Sequence, residues 1–212
     1  MALDIPEVVI NRLPVYARAL AALAEAGETV VSSQALGEQL DVTPAQIRKD
    51  LSYFGRFGKQ GRGYNVDDLL RRLREILGLN QRWTVCVVGM GRLGQAIVEY
   101  GGFEPQGFDV VAVFDIDEQK VGKTVGRLRI QHVRELESCL KERPVDIGIV
   151  AVPASAAQEV VDRLIGCGVK SILNYAPTTA HVPRGVQVRQ IDPVIAMQSM
   201  TYYLKDLRAA AK

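Results

Sequence analysis

The 212-residue chain is poor in the residues that build disulfide scaffolds and metal sites. Its three cysteines, Cys86, Cys139 and Cys167, are odd in number, widely spaced and without a C-x-x-C pair. This pattern argues against a disulfide framework and against a zinc site, so we expect buried, inert thiols. The two histidines, His132 and His181, belong to no visible constellation, so neither a metal nor a catalytic residue is expected.

Long apolar runs and an excess of one charge are also missing. No stretch approaches the ~20 apolar residues of a membrane span, and the amino terminus lacks the basic-then-apolar pattern of a signal peptide. Basic residues outnumber acidic ones only by 26 to 24, so the charge of the whole molecule indicates no particular partner. These absences predict a reduced, soluble, cytoplasmic protein without membrane contact.

What is present divides the chain into two halves of different character, the first being residues 1–82. Helices are expected there over residues 6–26, 34–40, 44–54 and from about residue 65 onward. Pro14 lies inside the first helix, where a break or kink is expected. Ser32 or Ser33 is the expected cap of the second helix.

The third helix has a strong start signal and a basic surface. Thr43 can act as its N-cap, a proline takes the first helical position, and Gln46 completes a capping box. The apolar spacing predicts a core-facing side with Ile47, Leu51 and Phe54. The residues expected on the opposite side, where they can reach base edges or phosphates, are Arg48, Lys49 and Ser52.

A glycine-rich basic segment follows the third helix. Residues 44–63 carry five basic side chains and one acid, Asp50, a net charge of +4 in a nearly neutral protein. Three of the basic residues, Arg56, Lys59 and Arg62, fall in the glycine-rich part, which is expected to form a mobile hairpin or wing. Three helices and such a wing describe a winged-helix DNA-binding domain. The alternative is a solvated basic face on a protein-interaction domain.

Residues 83–192 alternate short apolar strands with helical stretches. Strands are expected over residues 83–88, 110–114, 129–133, 147–152, 171–175 and 186–191, and helices over residues 93–100 and 156–165. Such alternation predicts a doubly wound parallel sheet of the Rossmann type. The expected fold class is therefore α/β, with a winged helix in front of a Rossmann-type domain.

A glycine motif directly follows the first strand of this half and opens the next helix. Its residues, all expected to contact a dinucleotide, are Gly89, Met90, Gly91, Arg92, Leu93 and Gly94. The first glycine permits a tight turn, the second lets the backbone approach a pyrophosphate, and the third lets the helix pack closely on the sheet. The helix N-terminus offers free N–H groups to the phosphates.

An acid stands where this motif requires one. Asp115 ends the next strand, 21 residues beyond Gly94, where a carboxylate accepts hydrogen bonds from ribose hydroxyls and repels a 2′-phosphate. NAD(H) is therefore favoured over NADP(H). Three alternatives remain for this half: a structural turn that binds nothing, an oxidoreductase with an accessory helical domain, and a CoA- or nucleotide-binding module.

Over essentially its full length the chain resembles the Rex family of redox-sensing transcriptional repressors. The segments that carry the resemblance are residues 47–55 with the glycine wing, 87–94, 114–115 and 174–177. The resemblance implies a homodimer that binds a pseudo-palindromic, double-stranded operator and leaves it when NADH binds. It further implies that NAD+ is a weaker competitor that does not release DNA well.

The resemblance also assigns roles to the carboxyl-terminal residues 193–212. In the family a helix there swaps onto the partner subunit and holds the dimer together. An apolar stripe fits that role here, formed by Met197, Met200, Leu204 and Leu207. The alternative is a helix packed on its own chain.

Further site residues follow from the resemblance alone. It implies DNA contacts by Arg12, Gln46 and Tyr53, and cofactor contacts by Tyr100, Pro153, Asn174 and Asp192. It also implies a switch in which Asp192 pairs with Arg18 in one state and with Tyr100 when NADH is bound. Pro193 departs from the family pattern, because some members carry an aromatic residue there beside the nicotinamide.

Overall fold

The computed structural model describes residues 5–58 and 62–210, the last five of them by their backbone alone. The chain separates into two compact units, Met1–Gln81 and Arg82–Lys212. The described elements of the first unit are α1 (Glu7–Glu25), β1 (Val30–Val31), α2 (Ser33–Leu40), α3 (Pro44–Ser52), β2 (Tyr64–Asn65) and α4 (Val66–Ile76). Its helices enclose one apolar core, in which Ile47 and Leu51 are buried as predicted. Phe54 lies beyond the end of α3 and is partly buried.

Pro14 does not break α1, contrary to expectation. The helix runs without interruption from Glu7 to Glu25. A proline at this position leaves the carbonyl of Ile10 without its helical N–H partner. Ile10 and Pro14 both lie on the exposed side of the helix, where water can satisfy that carbonyl. The buried side of the helix, with Leu13 and Tyr16 in the core, supplies the packing that keeps the segment helical.

The helix caps of the first unit agree only partly with the expected pattern. Ser32 caps α2 by accepting from the Ala35 N–H at 3.0 Å, and Thr43 caps α3 by accepting from the Gln46 N–H at 3.2 Å. The prediction of a complete capping box is wrong, because the Gln46 side chain donates to Asp50 at 2.7 Å and does not turn back to Thr43. A buried carboxylate is the stronger acceptor partner for that amide.

The glycine-rich segment forms no hairpin in its described part. Residues 55–58 lie outside helices and strands, and β2 pairs antiparallel with β1, which precedes α2. Gly58 and Gly63 still lie close together, because a Cβ added at Gly58 would stand 2.5 Å from the carbonyl oxygen of Gly63. Gly58 also has φ +70°, a conformation that favours glycine. Lys59 lies outside the described residues.

The second unit is built around a sheet of seven strands. Its elements are β3 (Trp83–Val88), α5 (Arg92–Glu99), β4 (Phe108–Asp115), β5 (Thr124–Val125), β6 (Leu128–His132), α6 (Leu136–Glu142), β7 (Ile147–Val150), α7 (Ala154–Gly166), β8 (Ser171–Asn174), β9 (Gln187–Gln190) and α8 (Pro193–Ala210). All expected strands and helices are present. β5 and α6 were not expected, because two residues and two helical turns are too short to show a period.

The strand order creates a crevice beside the glycine motif. The order is β5-β6-β4-β3-β7-β8-β9, and neighbours are parallel except for the edge pair β5 and β6. The chain moves outward from β3 through β4 to β6 and then returns past β3 to β7. This reversal opens a crevice at the carboxyl ends of β3 and β7, where open α/β sheets bind their ligands.

The cysteines are less uniformly buried than expected. Cys86 lies inside an apolar layer of the sheet, and burial raises the pKa of its thiol to about 12. Cys139 and Cys167 are only partly buried at the rim of that layer, so the expectation of buried thiols is wrong for them. They sit in α6 and at the end of α7, elements that pack one side on the sheet and leave the other side in solvent.

The last helix, α8, leaves most of its described apolar side chains in solvent. Met197, Met200 and Leu204 are all at least half exposed, as are two neighbouring tyrosines, Tyr202 and Tyr203. The side chain of Leu207, the fourth member of the predicted stripe, lies outside the described residues. In the described parts of the chain, no helix is both long and apolar enough to span a membrane.

Candidate nucleic-acid interface and dinucleotide site

The first and third glycines of the motif are enforced by close backbone contacts. Gly89 has φ +100°, and a Cβ there would collide with the carbonyl oxygen of Ala151 and approach Val152 to 2.9 Å. The turn after β3 therefore rests against the loop after β7. A Cβ at Gly94 would overlap the carbonyl oxygen of Gly89, so the start of α5 can lie directly on the turn. Both contacts hold the motif at the crevice.

The middle glycine faces open space. Gly91 is the N-cap residue of α5 with φ −72°, and no side chain caps the free N–H groups of the helix. A Cβ at Gly91 would have no atom within 4 Å. Arg92 and Leu93 next to it are exposed, whereas the Met90 side chain is fully buried. An uncapped helix N-terminus with room in front of it is suited to bind phosphate.

Asp115 lies at the end of β4 and is tied to the glycine motif. Its carboxylate accepts from the Met90 N–H at 2.6 Å, from the Asp117 N–H at 2.8 Å and from the Lys120 ammonium at 3.2 Å. Burial would raise the pKa of Asp115, but the two backbone donors and Lys120 outweigh it and hold the pKa below its usual value. The carboxylate is therefore ionised at neutral pH.

The remaining predicted cofactor contacts are less closely grouped. Pro153 follows β7 and starts α7 beside the glycine turn. Asn174 ends β8, and both hydrogens of its amide are engaged: Nδ2 donates to Thr178 and Gln190, while Oδ1 accepts from the Ala176 N–H. The structure thus brings together the motif, Asp115 and Pro153, while Asn174 orders the loop after β8.

Two of the predicted switch residues belong to the second unit but occupy different ends of it. Tyr100 follows the carboxyl end of α5, away from the glycine turn, and its ring meets Phe103 edge-to-face at 5.1 Å. Asp192 follows β9 and accepts from the Val194 N–H at 2.8 Å, capping the start of α8. Arg18, the third, is exposed on α1 in the first unit.

The exposed side of α3 is basic, as expected. Arg48, Lys49 and Ser52 are all exposed. Arg48 donates to Ser33 at 2.9 Å, which fixes its guanidinium next to the start of α2, and the Ser52 hydroxyl donates to the carbonyl of Lys49 at 2.7 Å. Arg56 and Arg62, the described cations of the wing, are exposed, and Tyr53 is half-buried at the end of α3. This surface can offer several cations to a phosphate backbone.

The single acid of the basic segment does not reduce the positive charge of that surface, because its side chain is buried. Asp50 is 0% exposed and accepts from Arg12 at 2.6 and 2.8 Å, from the Tyr16 hydroxyl at 2.7 Å and from Gln46 at 2.7 Å. Burial would raise the pKa of Asp50, but Arg12 and the two neutral donors lower it below its usual value. Burial and the neighbouring carboxylate raise the pKa of Tyr16.

This network changes the setting of two predicted DNA contacts and adds two residues that sequence reasoning missed. Arg12 and Gln46 are bound to Asp50, although the Arg12 side chain remains 25% exposed. Tyr16 and Asp50 were missed. The available signal was the position of Asp50, one residue before Leu51 and three after Ile47, on the apolar side of α3. An acid on that side requires buried donors.

Two family models match the chain. Residues 4–52 match a model described as "Putative DNA-binding protein N-terminus", and residues 80–178 match one described as "CoA binding domain". A redox-sensing transcriptional repressor Rex from Chloroflexus aggregans is 56% identical over 94% of this chain and 94% of its own length. The Rex protein of Roseiflexus sp. is 52% identical over 97% of this chain and 94% of its own.

The chain belongs to the Rex family of redox-sensing transcriptional repressors. Solved structures agree with this assignment over both units. One is RSP, a Rex-family repressor, solved in complex with beta-NAD+ and operator DNA. RSP in that complex is 36% identical to this chain and has a TM-score of 0.91, and the match covers 97% of this chain and 95% of RSP. RSP in complex with beta-NADH is 34% identical, with a TM-score of 0.88 over 99% of both chains. The fold is therefore a DNA-binding amino-terminal part followed by a Rossmann-type domain, as predicted.

Within the described residues, no group of three or more histidine, cysteine, aspartate or glutamate side chains is arranged to hold a metal ion.

Proposed function

We propose that this Rex-family chain represses transcription as a homodimer that binds operator DNA and releases it when NADH binds. The observation that carries the proposal is the uncapped start of α5 at Gly91, open in front and flanked by the ionised Asp115. It lies in the same chain as a helix with a basic exposed side. The relative RSP is named for one complex with beta-NAD+ and operator DNA and for another with beta-NADH.

The residues present fit a dinucleotide. The free N–H groups at the start of α5 would hold the pyrophosphate, with Gly91 giving access, and Asp115 would accept from the adenine ribose. The negative charge of Asp115 favours NAD(H) over NADP(H). Pro153 borders the same crevice. Tyr100, Asn174 and Asp192 remain predicted contacts. We expect NADH to act as the effector and NAD+ as a weaker competitor.

The chain acts as a sensor and carries out no reaction on the nucleotide. Support comes from the named relatives, which are transcriptional repressors. The ring of His132 has a structural partner, because it accepts from the Arg134 N–H at 3.0 Å. A dehydrogenase needs a free acid or base near the nicotinamide. A transcription regulator of this kind works in the cytoplasm.

The dimer is held by the carboxyl-terminal helix, residues 193–212, behind a winged helix of residues 1–82 and a nucleotide domain of residues 83–192. The exposed apolar side chains of α8 support this role, since an isolated chain would leave them in water. We infer that α8 packs on the partner subunit, in the swapped arrangement that family resemblance implies. Asp192, Arg18 and Tyr100 would form the switch between the two states.

DNA and NADH are coupled through two states of the dimer. One state places both basic α3 helices on the half-sites of a pseudo-palindrome, and NADH favours the other. NADH can shift this equilibrium only by the ratio of its affinities for the two states. By reciprocity, operator DNA lowers the affinity for NADH by the same factor.

The test uses a duplex selected from a randomised pseudo-palindrome by the protein itself. Fluorescence anisotropy should show binding of this duplex and its loss when NADH is added. The matched variant is Gly91→Val, whose side chain enters only open space in the protein. It should bind the duplex with unchanged affinity and fail to respond to NADH, because valine occupies the pyrophosphate position.

Two outcomes would contradict the proposal. One is an unaltered chain that binds no duplex even at low salt, where phosphate contacts are strongest. The other is an NADH affinity that stays the same with and without saturating duplex, which would exclude the coupling. A Gly91→Val chain that still releases DNA with NADH would place the nucleotide elsewhere.

A further inference from the structure

The Asp115 carboxylate has fewer free acceptor positions than a ribose requires. Oδ2 receives the Met90 N–H at 2.6 Å and the Lys120 ammonium at 3.2 Å, and Oδ1 receives the Asp117 N–H at 2.8 Å. An ionised carboxylate offers about four lone-pair positions. One position is therefore left, whereas the two hydroxyls of an adenine ribose need two.

Of the three donors, only Lys120 can leave. The Met90 N–H is fixed by the glycine turn, and the Asp117 N–H by the turn that follows β4. The Lys120 side chain is 32% exposed, and its ammonium has a second carboxylate, Asp117, at 3.6 Å. Moving from Asp115 to Asp117 keeps the ammonium paired with an anion and opens the fourth position.

We propose that Lys120 is a specificity-determining residue that weakens the discrimination between NADH and NADPH. It competes with the ribose for Asp115, which lowers NADH affinity. The Asp115 carboxylate repels the 2′-phosphate of NADPH. Because the Lys120 ammonium lies beside that carboxylate, it attracts the phosphate and limits the loss of NADPH affinity. The inference rests on the proposed nucleotide site and concerns the balance between the two ligands.

The experiment compares Lys120→Met with Lys123→Met, in the full chain, by titration with NADH and with NADPH. Methionine keeps most of the length of the side chain and removes its charge. Lys123 is an exposed lysine of the same segment, so its variant controls for the change in net charge. Lys120→Met should bind NADH on the order of fivefold more tightly and NADPH on the order of fivefold more weakly, the size expected for one partly exposed charge. Lys123→Met should change neither.

A second pair of variants tests the cation directly. Asp115→Ser removes the repelling carboxylate and frees Lys120, so NADPH should bind more tightly than to the unaltered chain while NADH binds more weakly. Asp115→Ser combined with Lys120→Met should lose that gain in NADPH affinity. Circular dichroism spectra of all variants check that the fold is retained, and Lys120→Met alone, at a partly exposed site, carries the test if Asp115→Ser does not fold.

The outcomes separate this inference from the proposed function. Weaker NADH binding by Lys120→Met would mean that Lys120 contacts the ligand directly and would overturn the inference. An unchanged ratio of NADH to NADPH affinity would overturn it as well, with the proposed function intact. Failure of the unaltered chain to bind NADH at all would overturn both.

Discussion

The two units each contain a buried aspartate, and the two carboxylates are used differently. Asp50 in the first unit receives four hydrogen bonds, from Arg12, Tyr16 and Gln46, and is fully enclosed. Asp115 in the second unit receives three, one of them from a partly exposed lysine. Asp50 is saturated by its own chain, whereas Asp115 retains capacity for a ligand.

The difference shows how the same side chain can be used up by the structure in one place and stay available to a ligand in another. A carboxylate whose lone pairs are all occupied can only hold its neighbours, and Asp50 joins α1 to α3. A carboxylate with a vacant position at the edge of a crevice can exchange a protein donor for a ligand donor. Counting donors at a buried acid therefore distinguishes the two uses before any ligand is known.

The largest effect should come from removing the saturated acid. Asp50→Ala leaves Arg12, Tyr16 and Gln46 without their common acceptor, and should lower the free energy of unfolding of the first unit by about 3–5 kcal/mol. Asp115→Ala should cost the second unit only about 1–2 kcal/mol, because Lys120 turns to solvent or to Asp117.

Urea unfolding of the full chain can separate the two units. Trp83, the single tryptophan, lies in the second unit, so its fluorescence follows that unit, while circular dichroism at 222 nm also follows the helices of the first. Asp50→Ala should shift the dichroism transition and leave the fluorescence transition in place. Equal losses for Asp50→Ala and Asp115→Ala would remove the distinction between the two acids.

A smaller change should follow from deleting one of the four donors. Tyr16→Phe removes the hydroxyl that donates to Asp50 at 2.7 Å and should destabilise the first unit by about 2 kcal/mol, typical of a hydrogen bond to a charged group. Tyr100→Phe is the matched control. The Tyr100 side chain is 62% exposed, so the loss of its hydroxyl should leave both unfolding transitions unchanged. If Tyr16→Phe left the free energy of unfolding unchanged, the three remaining donors would be enough to stabilise the Asp50 carboxylate.

The smallest effect is a difference in acid sensitivity. The pKa of Asp50 is lower in the folded chain than in the unfolded one, so its contribution is complete above about pH 4 and is lost as the pH falls through the folded-state value. The advantage of the unaltered chain over Asp50→Asn should therefore shrink below about pH 4, by at most about 1.4 kcal/mol per pH unit. Unfolding midpoints measured between pH 7 and pH 3 test this, and a constant difference would contradict it.

The geometry of the proposed nucleotide site was predictable because its signals are local in sequence. The glycine motif, the strand before it and Asp115 at the end of the next strand each follow from spacing alone. The Asp50 network was not predictable in the same way. Its members Arg12 and Asp50 are 38 residues apart, and their contact depends on how α1 packs against α3.

Other differences have equally specific causes. The chain stays helical through Pro14 because the affected carbonyl faces solvent and the opposite side of α1 is packed. The Gln46 side chain does not complete the expected capping box, because it donates to the buried carboxylate of Asp50. The cofactor contacts, the DNA contacts and the switch residues stay predictions.

The position of β3 has a practical consequence. Trp83 begins this strand and the glycine turn follows its last residue, Val88, so the indole and the nucleotide crevice are separated by one strand length, about 17 Å along the strand. Reduced nicotinamide absorbs where tryptophan emits, and the oxidised form does not. If the proposed site binds the nucleotide, the indole would serve as an energy-transfer donor whose quenching reports the nucleotide's redox state, without any attached dye.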